Sequence, residues 1–151
     1  MKFSKTHING LFIIEPNVIK DQRGYFLESF NIREFNREIE NINFIQDNES
    51  KSSKGVLRGL HYQRPPFTQS KLVRCIEGEV LDIALDIRKG SPTYGVYHSI
   101  KLSKENKKQV FIPKGFAHGF LVLSDTAIFS YKVDNFYSPE HDSGIRWNDK
   151  D

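Results

Sequence analysis

Two short runs hold most of the chemistry available to this chain. Gly55-Val-Leu-Arg58-Gly59-Leu-His61-Tyr-Gln63 sets an arginine and a histidine on a glycine-flanked stretch. Glycine inside a strand marks the close approach of another backbone or of a ligand. Pro113-Lys-Gly115-Phe-Ala-His118-Gly119-Phe delivers a second histidine from a Pro/Gly turn into an apolar stretch. Imidazole titrates near neutrality, so it can take or give a proton under ordinary conditions. Lys71, Asp82 and Tyr131 interrupt runs that are otherwise rich in apolar residues. Each residue also has a plainer reading: His61 as a structural histidine, Arg58 as a surface residue, Tyr131 as a core tyrosine with a satisfied hydroxyl. Asp21-Gln-Arg23-Gly24-Tyr-Phe26-Leu-Glu28 turns into a strand. Its Arg23, Phe26 and Glu28 suit an anion-and-base pocket, or ordinary strand decoration.

Composition narrows the chemistry. A single cysteine, Cys75, excludes an intramolecular disulfide framework and a Cys-rich zinc site. Pro-X-Gly-X-X-His around His118 resembles the second half-motif of the cupin barrels. The His-X-His pair that opens their metal-binding form occurs nowhere in the chain. One candidate histidine without a partner at ligand spacing makes a poor transition-metal site, so the expectation is a cupin-like barrel without metal. A net charge of +3 suits a small anionic ligand and lacks the dense basic patch of a nucleic-acid binder. No apolar run reaches transmembrane length, and no signal-type segment follows Met1-Lys2-Phe3. The expectation is a cytoplasmic protein with neither nucleic acid nor membrane as partner.

These residues must be positioned by many short strands, because Gly and Pro punctuate short apolar runs throughout the 151 residues. Strands are expected near 11–14, 24–30, 42–47, 55–63, 71–76, 79–87, 95–102, 109–112, 118–123 and 126–133. One short helix is expected over 31–39, with Asn31 as N-cap and Ile32, Phe35 and Ile39 on one face. This is an all-β single domain over 1–151, a sandwich or barrel with one or two short helices. Glu77-Gly78 reads as a two-residue hairpin turn, opposing Val73 to Asp82 and Lys71 to Ala84. Alternation then puts Lys71, Val73, Cys75, Val80, Asp82 and Ala84 on one face. Lys71 and Asp82 become diagonal neighbours roughly 7–8 Å apart. A charged pair on a covered face argues for a lined cavity.

Read together, six segments resemble one family. They are Gly24-Tyr-Phe-Leu-Glu28-Ser, Phe44-Ile-Gln46-Asp47-Asn48-Glu-Ser50, the run around His61, Lys71-Leu-Val-Arg74, Gly115-Phe-Ala-His118-Gly-Phe-Leu-Val-Leu-Ser124 and Tyr131-Lys132. They fall in the same order as in the dTDP-4-dehydrorhamnose 3,5-epimerases, from about residue 10 onward. The resemblance implies a double-stranded β-helix (jelly roll) and a homodimer that exchanges its N-terminal strand. It also implies inversion of C3 and C5 of dTDP-4-keto-6-deoxy-D-glucose without metal or organic cofactor, on the way to cell-surface polysaccharide. It makes His61 the base, Lys71 the group that holds the enolate oxygen, and Tyr131 the acid on the opposite face. Asp82 keeps Lys71 charged and oriented, and His118 lines the sugar site. Arg23 and Arg58 meet the phosphates through their planar donor forks. Glu28, Gln46, Asp47 and Asn48 fix polar groups of the nucleoside and sugar, and Phe26 and Tyr137 meet its rings. Arg23, Phe26 and Glu28 serve the neighbouring subunit's site.

Two departures from the family pattern stand out. The family continues past Trp147-Asn-Asp with a Ser-X-Lys-Asp stretch whose Asp bonds the catalytic His. The 151-residue chain is therefore expected to lack that segment, or to use another carboxylate such as Asp82 for His61. Asp142, also a substrate-binding candidate, stands where the family has Glu. The alternatives are an epimerase acting at one carbon of another nucleotide-linked 4-keto sugar, and a non-catalytic sugar-nucleotide binder.

Overall fold

The computed structural model describes residues 1–39 and 42–150. Thirteen strands and one α-helix follow in order: β1 (Lys2–Lys5), β2 (Phe12–Glu15), β3 (Val18–Asp21), β4 (Gly24–Leu27), α1 (Ile32–Glu38), β5 (Gln46–Ser53), β6 (Leu57–Gln63), β7 (Lys71–Glu77), β8 (Glu79–Asp86), β9 (Tyr97–Ser103), β10 (Gln109–Ile112), β11 (Phe116–Val122), β12 (Thr126–Val133) and β13 (Asp142–Gly144). A 3-10 turn at Pro139–His141 leads into β13. Among the described residues no helix is long and apolar enough to cross a membrane.

Two antiparallel sheets face each other. One has six strands in the order β1-β2-β10-β7-β12-β5, the other five in the order β13-β6-β11-β8-β9. Strands β3 and β4 form a separate hairpin that joins neither sheet. Period-two alternation sends one set of side chains between the sheets, as in a jelly roll. Val73 and Cys75 of β7 meet Val80 and Ala84 of β8, Phe116, Phe120 and Val122 of β11, and Ala127 and Phe129 of β12 in this core.

The expected hairpin between β7 and β8 does not form. β7 pairs with β10 and β12, whereas β8 pairs with β11 and β9. Gly78 carries the chain from one sheet to the other at φ +78°, and a Cβ there would stand 2.1 Å from the Thr126 carbonyl. The shared face survives for a different reason. Inward residues of two opposed sheets look into one interior, so Val73, Cys75, Val80 and Ala84 meet there without a ladder between their strands.

The outer face of the six-stranded sheet is closed by α1. Asn31 caps the helix through its side chain, which accepts from the backbone N–H groups of Arg33 and Glu34. Phe35 packs with Ile14, Ile39, Leu72 and Phe111. Burying a phenylalanine this fully contributes about 1.5–3 kcal/mol. Ile32, expected on the same face, is largely exposed.

β5 is polar from end to end and runs to Ser53, well past the expected 47. The strand at 24–30 ends at Leu27, and β1, β3 and β13 were not expected.

Candidate active site

A cavity of about 440 Å³ opens between the sheets at the end where β6, β7, β12 and β13 meet. From the six-stranded side come Gln46, Asn48 and Ser50 of β5, Lys71 of β7 and Tyr131 of β12. From the five-stranded side come Arg58 and His61 of β6 and His118 of β11. Phe120 and Phe129 stack at 4.1 Å between their centroids and give the cavity an apolar floor. Tyr137 and Asp142 stand at the rim, where the Tyr137 hydroxyl donates to Asp142 Oδ2 at 3.3 Å.

The local sequence explains why these groups converge. His61 lies directly opposite His118 in the β6–β11 ladder. Just before that pair the register shifts, and Gly59 sits at φ +120° against Gly119. A Cβ on Gly59 would come within 2.5 Å of Gly119 Cα and 2.6 Å of the His118 carbonyl. The glycines let the two backbones close up, which sets the two imidazoles side by side. On the opposite wall Tyr131 pairs with Val73, and Lys71 pairs with Val133. Lys71 and Tyr131 are therefore diagonal neighbours on one inward face.

Asp82 is 1% exposed, and its Oδ2 lies 2.8 Å from His118 Nε2. Its direct partner is thus His118 rather than Lys71 or His61. Among the described residues no carboxylate is hydrogen-bonded to the His61 ring, which faces solvent at the cavity edge. Burial holds the Lys71 ammonium below the usual lysine range, against the opposing pull of Asp142 and then Asp82. Without the hairpin, Asp82 reaches Lys71 only through its charge, and less strongly than Asp142 does. Burial also raises the Tyr131 phenol above its ordinary value, against the charge of Arg58. Arg58 Nε donates to Ser52 Oγ at 2.9 Å, which ties the two walls together at the mouth.

The cavity gathers His61, Lys71, Tyr131, Arg58, Gln46, Asn48, His118, Tyr137 and Asp142 from the expected set. Asp47 points to the other face of β5, where both its oxygens accept from Lys132 Nζ. Period-two alternation forces this, since Gln46 and Asn48 face inward. Arg23, Phe26 and Glu28 lie on or beside the β3–β4 hairpin, outside the cavity of their own chain. There Arg23 pairs with Asp21, and Glu28 accepts from Asn31. Sequence reasoning missed Ser50, Tyr62, Gln63 and Gln69. Ser50 was accessible by counting in twos from Gln46, and Gln63 by counting from His61. Among the described residues no three His, Cys, Asp or Glu side chains converge as a metal-binding group.

The two-sheet barrel is cupin-like, and a histidine on one wall with a lysine–tyrosine pair on the other gives its cavity groups suited to acid/base chemistry. The sequence matches the family described as dTDP-4-dehydrorhamnose 3,5-epimerase over residues 5–151. A relative of that description from Shigella flexneri is 56% identical over 151 residues, covering 99% of this chain and 83% of its own. The crystal structure of the Elizabethkingia anophelis enzyme superposes with a TM-score of 0.95 at 51% identity, covering 99% of this chain and 82% of that one. A 3,5-epimerase from Legionella pneumophila, solved in complex with dTDP-4-keto-L-rhamnose, gives a TM-score of 0.95 at 50% identity, covering 98% and 79%. The chain belongs to the dTDP-4-dehydrorhamnose 3,5-epimerase family.

Proposed function

We propose that this protein inverts C3 and C5 of dTDP-4-keto-6-deoxy-D-glucose, giving dTDP-4-keto-L-rhamnose for the synthesis of dTDP-rhamnose in the cytoplasm. The observation that carries the reading is the division of the cavity: His61 on one sheet, Lys71 and Tyr131 on the other. Both inverted carbons lie next to the C4 ketone, so each can lose its proton as an enolate forms. Inversion needs a base and an acid on opposite faces of the sugar, and positive charge at the ketone oxygen.

In this reading His61 takes the proton from carbon, and the electron pair of the C–H bond moves toward O4. The Lys71 ammonium holds the charge that gathers there. The Tyr131 hydroxyl then gives its proton to the same carbon from the opposite wall as the carbonyl re-forms. The step leaves His61 protonated and Tyr131 as phenolate, and exchange with solvent restores both. Burial keeps the Tyr131 phenol protonated until it is needed, and Arg58 limits the cost of the phenolate. His118, fixed by Asp82, lines the sugar pocket.

Arg58 meets the diphosphate at the mouth, while Gln46 and Asn48 take sugar and nucleoside polar groups. Tyr137 and Asp142 close the rim. The protein acts as a homodimer, in which the β3–β4 hairpin lends Arg23, Phe26 and Glu28 to the neighbouring site. Two features support this. The hairpin leaves Ile19, Tyr25 and Phe26 exposed, Phe26 at 67%, and β5 is an open edge strand.

The test is turnover of dTDP-4-keto-6-deoxyglucose in deuterated water. Deuterium is expected at both C3 and C5, with none in an H61N variant. Label at one carbon alone, or undiminished label in H61N, overturns the assignment. Mixing F26A with H61N subunits tests the exchanged hairpin: activity is expected to rise on mixing, and it stays at the sum of the two if each site is built by one chain.

A further inference from the structure

Gln63 closes β6 two residues beyond His61 and shares its inward direction. The residue is only 6% exposed, and its side chain makes three hydrogen bonds, all to loop backbone. Nε2 donates to the Phe136 carbonyl at 3.0 Å, and Oε1 accepts from the Ser138 N–H at 2.6 Å. Those are the carbonyl before Tyr137 and the N–H after it. The amide therefore grips Tyr137 from both sides, much as a neighbouring strand would. The second Nε2 hydrogen goes to the Phe67 carbonyl at 2.7 Å, in the connection between β6 and β7.

This clamp is the buried centre of a wider seam between two loops. Gln69 Nε2 donates to the Asn135 carbonyl at 2.8 Å, and the Ser70 N–H donates to Asp134 Oδ1 at 2.6 Å. Arg64 N–H donates to the His141 carbonyl at 2.9 Å. The Tyr137 side chain itself is weakly held. The residue is 57% exposed, and its hydroxyl bond to Asp142 is long at 3.3 Å. Its aim is set through the backbone, and so by Gln63.

We infer that Gln63 is a positioning residue, which aims Tyr137 across the cavity mouth to meet the bound nucleotide sugar. The inference rests on the reading of the cavity as a dTDP-sugar site. Gln63→Met keeps the length of the side chain and removes all three bonds. Calorimetric titration of the full chain with dTDP separates the possibilities. Q63M is expected to weaken dTDP about ten-fold, the scale of one or two lost hydrogen bonds. In a Y137A background the same change is expected to move the affinity less than about two-fold, because the clamp then has nothing to aim. In turnover, KM rises while kcat stays within about three-fold.

An equal loss in both backgrounds, no loss in either, or a fall in kcat at constant KM overturns the inference. If Q63M does not fold, Gln63→Glu supplies the same comparison, since it keeps the acceptor for Ser138 and removes both donations. Failure of the wild-type chain to bind dTDP overturns the inference together with the reading beneath it.

Discussion

Replacing Gly59 with alanine tests whether the β6–β11 contact sets the geometry of the active site. The added Cβ would stand 2.5 Å from Gly119 Cα and 2.6 Å from the His118 carbonyl, where ordinary contact begins near 3.4 Å. The two strands must part by roughly 0.9 Å to relieve the overlap. Both obstacles are backbone, so no side chain can rotate away. Because His61 is opposite His118 in that ladder, most of the displacement reaches the imidazoles. A misplacement near 1 Å costs about 10²-fold in catalysis, and the φ of +120° adds strain of about 1–3 kcal/mol. G55A separates the two effects. Gly55 also has positive φ, +79°, but nothing lies within 4 Å of its Cβ position. Urea melting and kcat/KM are measured for both variants. Both are expected to lose stability, and only G59A to lose kcat/KM by about 10²-fold. Wild-type kinetics in G59A, or an equal kinetic loss in G55A, refutes the argument.

Four further outcomes follow from the same geometry. K71M is expected to lower kcat by at least about 10²-fold while dTDP still binds, as calorimetry will show, because the lost charge acts at the ketone oxygen. The alkaline limb of wild-type kcat is expected below the ordinary lysine value of 10.5, since burial lowers the Lys71 pKa and activity is lost as the ammonium deprotonates; D142N, which removes the largest opposing charge, moves that limb to still lower pH. H118L leaves Asp82 buried without its partner and is expected to cost about 3–5 kcal/mol in urea melting, part of which returns in the D82N/H118L double variant. His98 Nε2 is buried with no hydrogen-bond partner among the described residues, and burial and then His7 lower the pKa of the ring against the pull of Asp82. The unfolded chain therefore binds this proton more readily, and wild-type stability falls as pH drops below 6.5 until the folded ring also titrates; H98V is expected to flatten that part of the pH–stability curve.

Most of the site residues were legible only through the family resemblance; alternation by itself put Lys71 and Asp82 on one face, and faces matter more here than pairing. Lys71 and Asp82 were expected to be neighbours through a hairpin that does not exist. They still look into one interior, because a strand pair turning a corner between two sheets shows the same alternation as a hairpin. A turn such as Glu77-Gly78 carries no local signal that separates the two cases. β5 was cut short for the converse reason. Gln46-Asp47-Asn48-Glu49-Ser50-Lys51-Ser52-Ser53 has no apolar face, so hydrophobic period cannot reveal it. Its strand character comes from the ladder to β12, in which each residue from Gln46 to Ser53 has a partner. The family resemblance groups Asp47 with Gln46 and Asn48; in the strand its side chain takes the opposite face from theirs, against Lys132.

The polar strand also explains why the cavity lies at this end of the barrel. An inward set of Gln46, Asn48, Ser50 and Ser52 cannot form an apolar core with Phe129 and Ala127, their neighbours on β12. Filling that space with hydrocarbon would strand the amides and hydroxyls without partners. Leaving it open gives them solvent or ligand, while Phe120 and Phe129 seal the interior below. The same division makes Lys71 tolerable. Its ammonium stands at the boundary between the sealed core and the open end, where Asp142 and Asp82 oppose part of the burial penalty. A lysine whose charge is only partly compensated is poised to favour a new anion nearby, and the enolate oxygen is that anion in the proposed reaction. The aromatic floor and the polar strand thus act on one electrostatic problem from two sides.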